Sequence, residues 1–419
     1  MNKFILVGQI CGVGGWQTYN KNKAALMSGL GWDVAFVCPG KDCNGENIKL
    51  LDLNKYPYMF LEELSFYPSY FSVKRRREVV ERIRSLISGA TEKDEIIIET
   101  NAICPALWGE YISKELGAKH LPLLVYSVFP KITTEVKKYL DFKYSRRELV
   151  TMYNNGLHEL LADVREVPVS GAYVVDPLTY NEYADDGKDY EALLKTHDYD
   201  WVVGSIGWLD KKYISEFINQ LYSFAAEHSN KKILFIVVGN STTGDKEQMI
   251  TEKLGDLQSV RCELMGSIAP LPSNLITLFD VCVASHGCAV ISDTLGVTTV
   301  QMLDDRDIPT GVMGYTLTEW PYDLCTANKE PVGWFLEATL VRGEYRKCDH
   351  VPLPLNTIYK AANQGHISFL AGADKDNEYY DITGIREPGM KNAVKRILVR
   401  TLGAGSVIRL KDSCKWTRG

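Results

Sequence analysis

The sequence predicts an α/β protein built from two doubly wound halves that face a central cleft. Three observations carry this reading. Unbroken apolar runs alternate with amphipathic helical stretches over the first 130 residues, the pattern of buried parallel strands joined by helices. The alternation lapses and then restarts at Trp201. The 419 residues are enough for two or three domains of about 150 residues each.

In the first half, an apolar run at 4–7 is closed by Gly8. A helix is expected over 20–30, and a second run at 34–38 stops at Pro39-Gly40. Residues 74–87 have helical period, with Val79, Val80, Ile83, Leu86 and Ile87 on one face. A strand at 95–98, a helix at 105–116 stopped by Gly117, and a strand at 121–127 follow, then a helical region over 134–161. Residues 176–200 are rich in Asp, Tyr and Gly and read as a linker.

The second half reads as a strand at 201–206, a helix at 212–228 and a strand at 233–238 ended by Gly239-Asn240. A helix at 246–254, strands at 260–265 and 281–284, a short helix at 271–279, a helical turn at 289–295 and a strand at 298–302 complete it. The glycine-rich 308–316 and Trp320-Pro321-Tyr322 read as a loop that closes on a ligand or as an elaborated sheet edge. A last helix over 391–400 places Val394, Ile397 and Leu398 on one face. The expected boundaries are 1–175, a linker 176–200, a second domain 201–385 and a C-terminal segment 386–419.

Composition narrows the function classes. Apolar residues at 45% and charged residues at 24% exclude a disordered chain or a fibre. The net charge of −6 speaks against a nucleic-acid partner. Ten cysteines include no CxxC pair, so a zinc ribbon is not expected; several lie in apolar strands, as buried thiols of a reducing cytosol do. The N-terminus lacks a signal-peptide shape and no run approaches the ~18 apolar residues of a membrane span, so a cytoplasmic protein is expected. Phe66, Tyr67, Tyr70 and Phe71 precede Lys74-Arg75-Arg76-Arg77. Segment 65–84 is therefore either an inward-packing loop before a basic helix, or a patch for peripheral contact with the inner face of the cell membrane.

Three constellations could hold chemistry. Gly12-Val13-Gly14-Gly15 lies between strand one and helix one, where glycines let backbone approach a ligand and helix amides favour an anion. Gln17 stands where a dinucleotide fingerprint needs a small residue, and strand two ends in Cys38 rather than an acid, so NAD is rejected; no Walker Lys-Ser/Thr follows either. Next, Gly204-Ser205-Ile206-Gly207-Trp208-Leu209-Asp210-Lys211-Lys212 brings two lysines to the start of a helix. Cations there disfavour the helix unless they meet a phosphate. Third, a strand runs out into Ser285-His286-Gly287-Cys288, with Asp293 about two turns further on. Asp304-Asp305-Arg306-Asp307 reads as a solvated loop, since Arg306 would oppose a cation, and no metal is expected.

These segments resemble the GT-B glycosyltransferases, in particular the family-4-like enzymes of bacterial polysaccharide assembly. The matching stretches are 7–15, Gly207 to Lys212, Val237-Val238-Gly239, Phe279 to Ser285, and Gly296-Val297-Thr298-Thr299-Val300. The chain departs from that pattern in places. Trp208 stands at the family's phosphate-binding arginine, and Ser285 and Asp293 fall near its paired glutamates. Tyr126-Ser127-Val128-Phe129 stands where a histidine is frequent.

The resemblance implies a GT-B fold of two Rossmann-like domains and a metal-independent hexosyltransferase. Such an enzyme moves a sugar from a nucleotide-sugar donor to a glycan or lipid-linked acceptor in cell-surface polysaccharide synthesis. Lys211 or Lys212 would hold the diphosphate with the Gly287 and Cys288 amides, and Asp293 would bind donor hydroxyls. Ser285 and His286 would line the donor pocket, and Gly14 and Gly15 would approach the phosphates. No organic cofactor is implied. The alternatives are a sugar-nucleotide 2-epimerase and a non-catalytic GT-B-like subunit of a synthase complex.

Overall fold

The fold was taken from a computed structural model of the chain. The structure describes residues 1–419 except 9–13, 41–47, 50–51, 92, 125–131, 152–182, 304–306, 318–327, 346–351, 353, 374–375 and 417–419. The end of the expected strand 121–127, the residues 152–161 of the expected helical region, Gly12-Val13, Tyr126–Phe129, Asp304–Arg306 and Trp320–Tyr322 therefore lie outside the described residues.

The chain divides into two compact units: Met1–Gly12, Trp16–Leu178 and Lys360–Gly419 form the first, and Val13–Gly15 with Thr179–Tyr359 the second. The first unit opens with β1 (Lys3–Val7), α1 (Gly15–Gly29), β2 (Asp33–Pro39), β3 (Tyr58–Leu61) and α2 (Val73–Leu86). It continues with β4 (Ile96–Asn101), α3 (Ile103–Leu116), β5 (Lys119–Leu124), α4 (Thr134–Ser145) and β6 (Val150–Thr151). Its six strands are all parallel, in the order β3-β2-β1-β4-β5-β6. This is the doubly wound order, and the strand direction of travel reverses between β1 and β4.

The aromatics of segment 65–71 follow the inward-packing alternative rather than the membrane-patch one. Phe66, Tyr67, Tyr70 and Phe71 are all buried in the core around Trp108, whose indole N–H donates to the Phe66 carbonyl at 2.8 Å. Aromatic rings so placed gain more from core contacts than they could from a lipid interface. Lys74, Arg75 and Arg77 after them stay exposed, Arg76 is half-buried over the Tyr111 ring, and Arg75 pairs with Glu63 and Glu78.

The second unit holds β7 (Tyr183–Ala184), α5 (Tyr190–Leu194), β8 (Trp201–Ile206), α6 (Tyr213–Glu227), β9 (Ile233–Val238), α7 (Asp245–Gly255) and β10 (Val260–Gly266). Then come β11 (Leu271–Pro272), α8 (Ser273–Ile276), β12 (Val281–Ser285), α9 (His286–Thr294), β13 (Thr298–Met302), β14 (Gly311–Val312) and α10 (Val332–Leu336). The sheet runs β10-β9-β8-β12-β13-β14, parallel except for antiparallel β14. It repeats the order of the first unit, with its reversal between β8 and β12. Hydrophobic clusters cover both faces of the sheet, one around Phe217 and Phe235, the other around Leu234 and Phe279.

The described part of the 176–200 stretch is folded into this unit rather than free. Tyr190 and Leu194 are core residues, and the Asp-rich run is a series of capped turns. Asp186 accepts from the Tyr190 hydroxyl and the Asn274 amide, and Asp189 caps α5 through the Ala192 amide.

The chain leaves the second unit inside α11 (Leu355–Gly372) and ends in α12 (Met390–Leu402) and α13 (Ala404–Trp416). Its last sixty residues are stitched to the first unit by buried polar contacts. Lys23 Nζ lies 3.1 Å from His366 Nδ1 and 3.1 Å from Glu99 Oε2, while the Tyr19 hydroxyl donates to Glu99 Oε1 at 2.7 Å. The Tyr380 amide donates to Glu110 at 2.7 Å, Arg146 reaches the Asp376 carbonyl at 2.6 Å, and the Ser69 hydroxyl reaches the Ile385 carbonyl at 2.6 Å. These contacts place the boundary at 360 rather than at the expected 386. The apolar face expected on the last long helix is not its buried face: Val394, Ile397 and Leu398 are exposed, and Val399 is buried.

Glu110, His120 and Lys143 form a fully enclosed cluster. His120 Nδ1–H donates to Glu110 at 2.8 Å, and Nε2 accepts from the Thr100 hydroxyl at 2.9 Å. Burial, aided by the nearby Lys143 charge, outweighs the pull of Glu110 and lowers the imidazole pKa to about 4. Burial also disfavours a charged Glu110, but Lys143, His120 and the Tyr380 amide bring its pKa down to about 2. The neutral imidazole therefore stabilises the fold above its ordinary pKa of about 6.5, and this contribution is lost as pH falls toward 4. Thermal melts should show the first unit losing about 5 °C between pH 7 and pH 5, and His120→Gln should flatten that dependence.

In the second unit, Gly239 and Gly207 pack the loops after β9 and β8 against each other. Gly239 has φ 152°, and a Cβ there would lie 1.9 Å from the Gly207 carbonyl oxygen. Gly239→Ala should cost about 2–4 kcal/mol in urea unfolding. Gly255→Ala, at the end of α7 with nothing within 4 Å of the new methyl, serves as the tolerated control.

Candidate functional site

In a doubly wound sheet, ligands bind outside the carboxyl ends of the strands where the strand order reverses. In the second unit that point lies between β8 and β12, and the structure brings several of the expected residues there. Lys211 Nζ donates to the Ser285 hydroxyl. Gly207, with φ 126°, lies beneath both Lys211 and Cys288: a Cβ on it would be 3.6 Å from Lys211 Nζ and 3.7 Å from Cys288 Sγ. The glycine keeps this floor open.

The lysine is held in place from below. The Gly207 amide donates to the Val238 carbonyl at 2.9 Å and the Leu209 amide to the Asn240 carbonyl at 3.1 Å. Asp210 accepts from the Thr242 amide at 2.8 Å and from its hydroxyl. These bonds join the loop after β8 to the loop after β9, so the backbone under Lys211 is fixed before any ligand arrives. Lys212 stands at the N-cap of α6 and is exposed. The structure thus separates the two lysines that the sequence could not choose between.

Ser285 occupies the N-cap of α9, yet its side chain caps no helix amide. His286 opens the helix with φ 50°, a left-handed conformation that costs a residue with a Cβ some energy. Gly287 and Cys288 complete the first turn, part-exposed. The helix begins three residues earlier than its apolar pattern suggests, because the Ser-His-Gly run forms its first turn. A helix N-terminus beside an ammonium group is a place for an anion.

Asp293 lies in the last turn of α9 and is fully enclosed, with 0% exposure. Gly14 and Gly15 stand at the beginning of α1, part-exposed and exposed. The described residues contain no cluster of three or more His, Cys, Asp or Glu able to hold a metal ion. Cys104, Cys262 and Cys282 take part in no disulfide. Burial pushes the Cys282 thiol up to about 12.

The first unit has a cavity of its own, about 790 Å³, which the sequence did not reveal. It lies at the carboxyl ends of β2 and β4, lined by Leu64, Tyr67, Asn101, Cys104, Thr133 and Glu387 among others. Glu387 Oε2 accepts from the Tyr70 hydroxyl at 2.5 Å and from Lys395 at 3.0 Å; Oε1 has no hydrogen bond from a described residue. Tyr67 is 8% exposed, its hydroxyl likewise makes no hydrogen bond to a described residue, and burial raises its pKa. Asn101 could have been found by the rule that located Ser285, since it ends the apolar run of the fourth strand. Glu387 could not, being nearly three hundred residues away in a stretch without any pattern.

No family model matches the chain, and no curated protein matches it. Solved structures do. The chain is similar to Anabaena Alr3699/HepE in complex with UDP and glucose, with a TM-score of 0.58 and 12% identity over 88% of this chain and 100% of that one. It is similar to a glycosyltransferase from Rickettsia africae, with a TM-score of 0.55 and 13% identity over 88% and 93%. It is also similar to a UDP-N-acetylglucosamine 2-epimerase described as putative from Listeria monocytogenes, with a TM-score of 0.51 and 10% identity over 90% and 99%. The likeness spans both units, and at these identities what it shows is the fold: two Rossmann-like units of the GT-B kind.

Proposed function

We propose that the chain is a hexosyltransferase that takes its sugar from a nucleotide-sugar donor and passes it to a glycan or lipid-linked acceptor in cell-surface polysaccharide synthesis. The observation that carries this is the Lys211–Ser285 contact at the first turn of α9, at the strand-order reversal of the second unit. In the reaction the bond from the sugar C1 to the β-phosphate oxygen breaks, and C1 bonds to an acceptor hydroxyl oxygen, whose proton passes to water. The leaving nucleoside diphosphate keeps the electron pair and gains negative charge. Lys211 and the Gly287 and Cys288 amides meet that charge with donors already in position, so little reorganisation is needed. Ser285 and His286 line the same pocket. The strained His286 backbone supports this, since such strain is concentrated at functional sites.

Lys212, Asp293, Gly14 and Gly15 take supporting parts in this reading: Lys212 adds positive potential, Asp293 secures α9 from within, and the two glycines keep the start of α1 open. The first-unit cavity takes the acceptor, with Glu387 Oε1 and the Tyr67 hydroxyl as hydrogen-bond partners for sugar hydroxyls. The reading needs neither metal nor organic cofactor and places the protein in the cytoplasm, where nucleotide sugars are made.

Lys211→Ala should weaken UDP binding about 10- to 100-fold by calorimetry, the loss of one charge-assisted phosphate contact. Lys212→Ala should weaken it only a few-fold. Equal binding by wild type and the Lys211 variant would remove the site. Transfer from UDP-sugars, followed by release of UDP, should persist in EDTA. Conversion of the donor to its 2-epimer without UDP release would identify an epimerase, and UDP binding without turnover a binding subunit.

A further inference from the structure

The exposed face of α12 is a feature the proposed transfer reaction does not use. Met390, Val394, Ile397, Leu398 and Leu402 are 84%, 52%, 58%, 37% and 49% exposed. At 100° per residue they fall within an arc of about 140°. The other side of the helix faces the first unit: Val399 is buried, Lys395 reaches Glu387, and Asn392 lines the cavity. The apolar stripe is therefore not a poorly packed core face, because the helix already has one.

Charge accompanies the stripe. α12 carries Lys391, Lys395, Arg396 and Arg400 and no acidic residue. α13 adds the exposed Arg409. Both helices belong to a chain whose net charge is −6. Arg400 donates to the Tyr70 and Ser69 carbonyls, each at 3.2 Å, so the turn that leads into α2 lies beside α12. α2 then begins with exposed Val73, Lys74, Arg75 and Arg77.

We infer that α12 is an interfacial helix that lies on an anionic phospholipid surface, its apolar stripe among the acyl chains, with Lys391 and the exposed Lys74 and Arg77 of the adjoining α2 at the headgroups. A helix with an open apolar face and a basic flank has the composition of such an anchor. A protein partner fits less well. The stripe is a convex ridge about 20 Å long and about 10 Å wide. That is roughly 200 Å², well short of the ~800 Å² per partner of a stable protein interface. A lipid surface asks for no complementary shape and answers the positive charge. No described helix is long and apolar enough to cross a membrane, so the contact is peripheral. The membrane contact thereby moves from the aromatics of 65–71, which are core, to a helix at the other end of the chain.

Flotation of the full chain with vesicles tests this. Wild type should float with phosphatidylcholine vesicles containing 30% phosphatidylglycerol at low salt, and should stay at the bottom with phosphatidylcholine alone or with the anionic vesicles in 0.5 M NaCl. Val394→Glu with Ile397→Glu, both at exposed positions, should abolish flotation while leaving the melting temperature unchanged. Three results would overturn the inference: no flotation of wild type with anionic vesicles, flotation of the double variant equal to wild type, or equal flotation with neutral vesicles. A wild-type dimer on gel filtration that the double variant converts to monomer would also overturn it, because the stripe would then be covered by a second copy.

Discussion

The candidate site depends on one hydrogen bond, from the Lys211 ammonium to the Ser285 hydroxyl. It joins two loops that leave adjacent strands in different directions, because the strand order reverses between β8 and β12. That reversal leaves a crevice at the strand ends, and the chain fills its floor with backbone alone. Gly207 and Gly239 make room for the loops to meet, and Asp210 with Thr242 fixes the loop that carries the lysine. The lysine meets α9 at its first turn, where helix amides are still unpaired within the helix. A positive side chain and a positive helix end facing one space are stable together only with an anion nearby or with water between them. The arrangement is therefore costly for stability and useful for binding.

The first unit answers a different constraint. Its core takes in Ile382, Ile385, Val399 and Ala404 from chain that returns after the whole second unit has been made. Lys23, Glu99, Tyr19 and His366 are nearly or fully enclosed, so each charge must be satisfied within the protein. The returning helix supplies His366, and the segment after it supplies the amide of Tyr380 to Glu110 and the carboxylate of Glu387 to the cavity. Folding of the first unit thus requires the far end of the chain, and the cavity is complete only once that end has docked. The same docking leaves the outer face of α12 open.

Much of this was legible in the sequence. Strands such as 201–206, 233–238 and 298–302 were found to the residue, because buried parallel strands are unbroken apolar runs. Ser285, His286, Gly287, Cys288 and Lys211 could be singled out because they follow strands in glycine-rich turns, and the structure brings Lys211 to Ser285. Other features depend on contacts distant in sequence and leave no local pattern. The Asp-rich 185–189 looked like a linker because its order comes from side chain-to-backbone turns and from Asn274. The period of α12 put Val394, Ile397 and Leu398 on one face but gave no sign of what lies opposite. The aromatics of 66–71 had two readings in the sequence, and Trp108 decided between them.

The central claim is that a nucleoside diphosphate sits against Lys211 and the first turn of α9. A crystal structure of the protein soaked with UDP tests it most directly. The account predicts the diphosphate within hydrogen-bond distance of Lys211 Nζ and of the Gly287 and Cys288 amides, with Ser285 alongside. UDP bound elsewhere, or an empty crevice at saturating UDP, would contradict it.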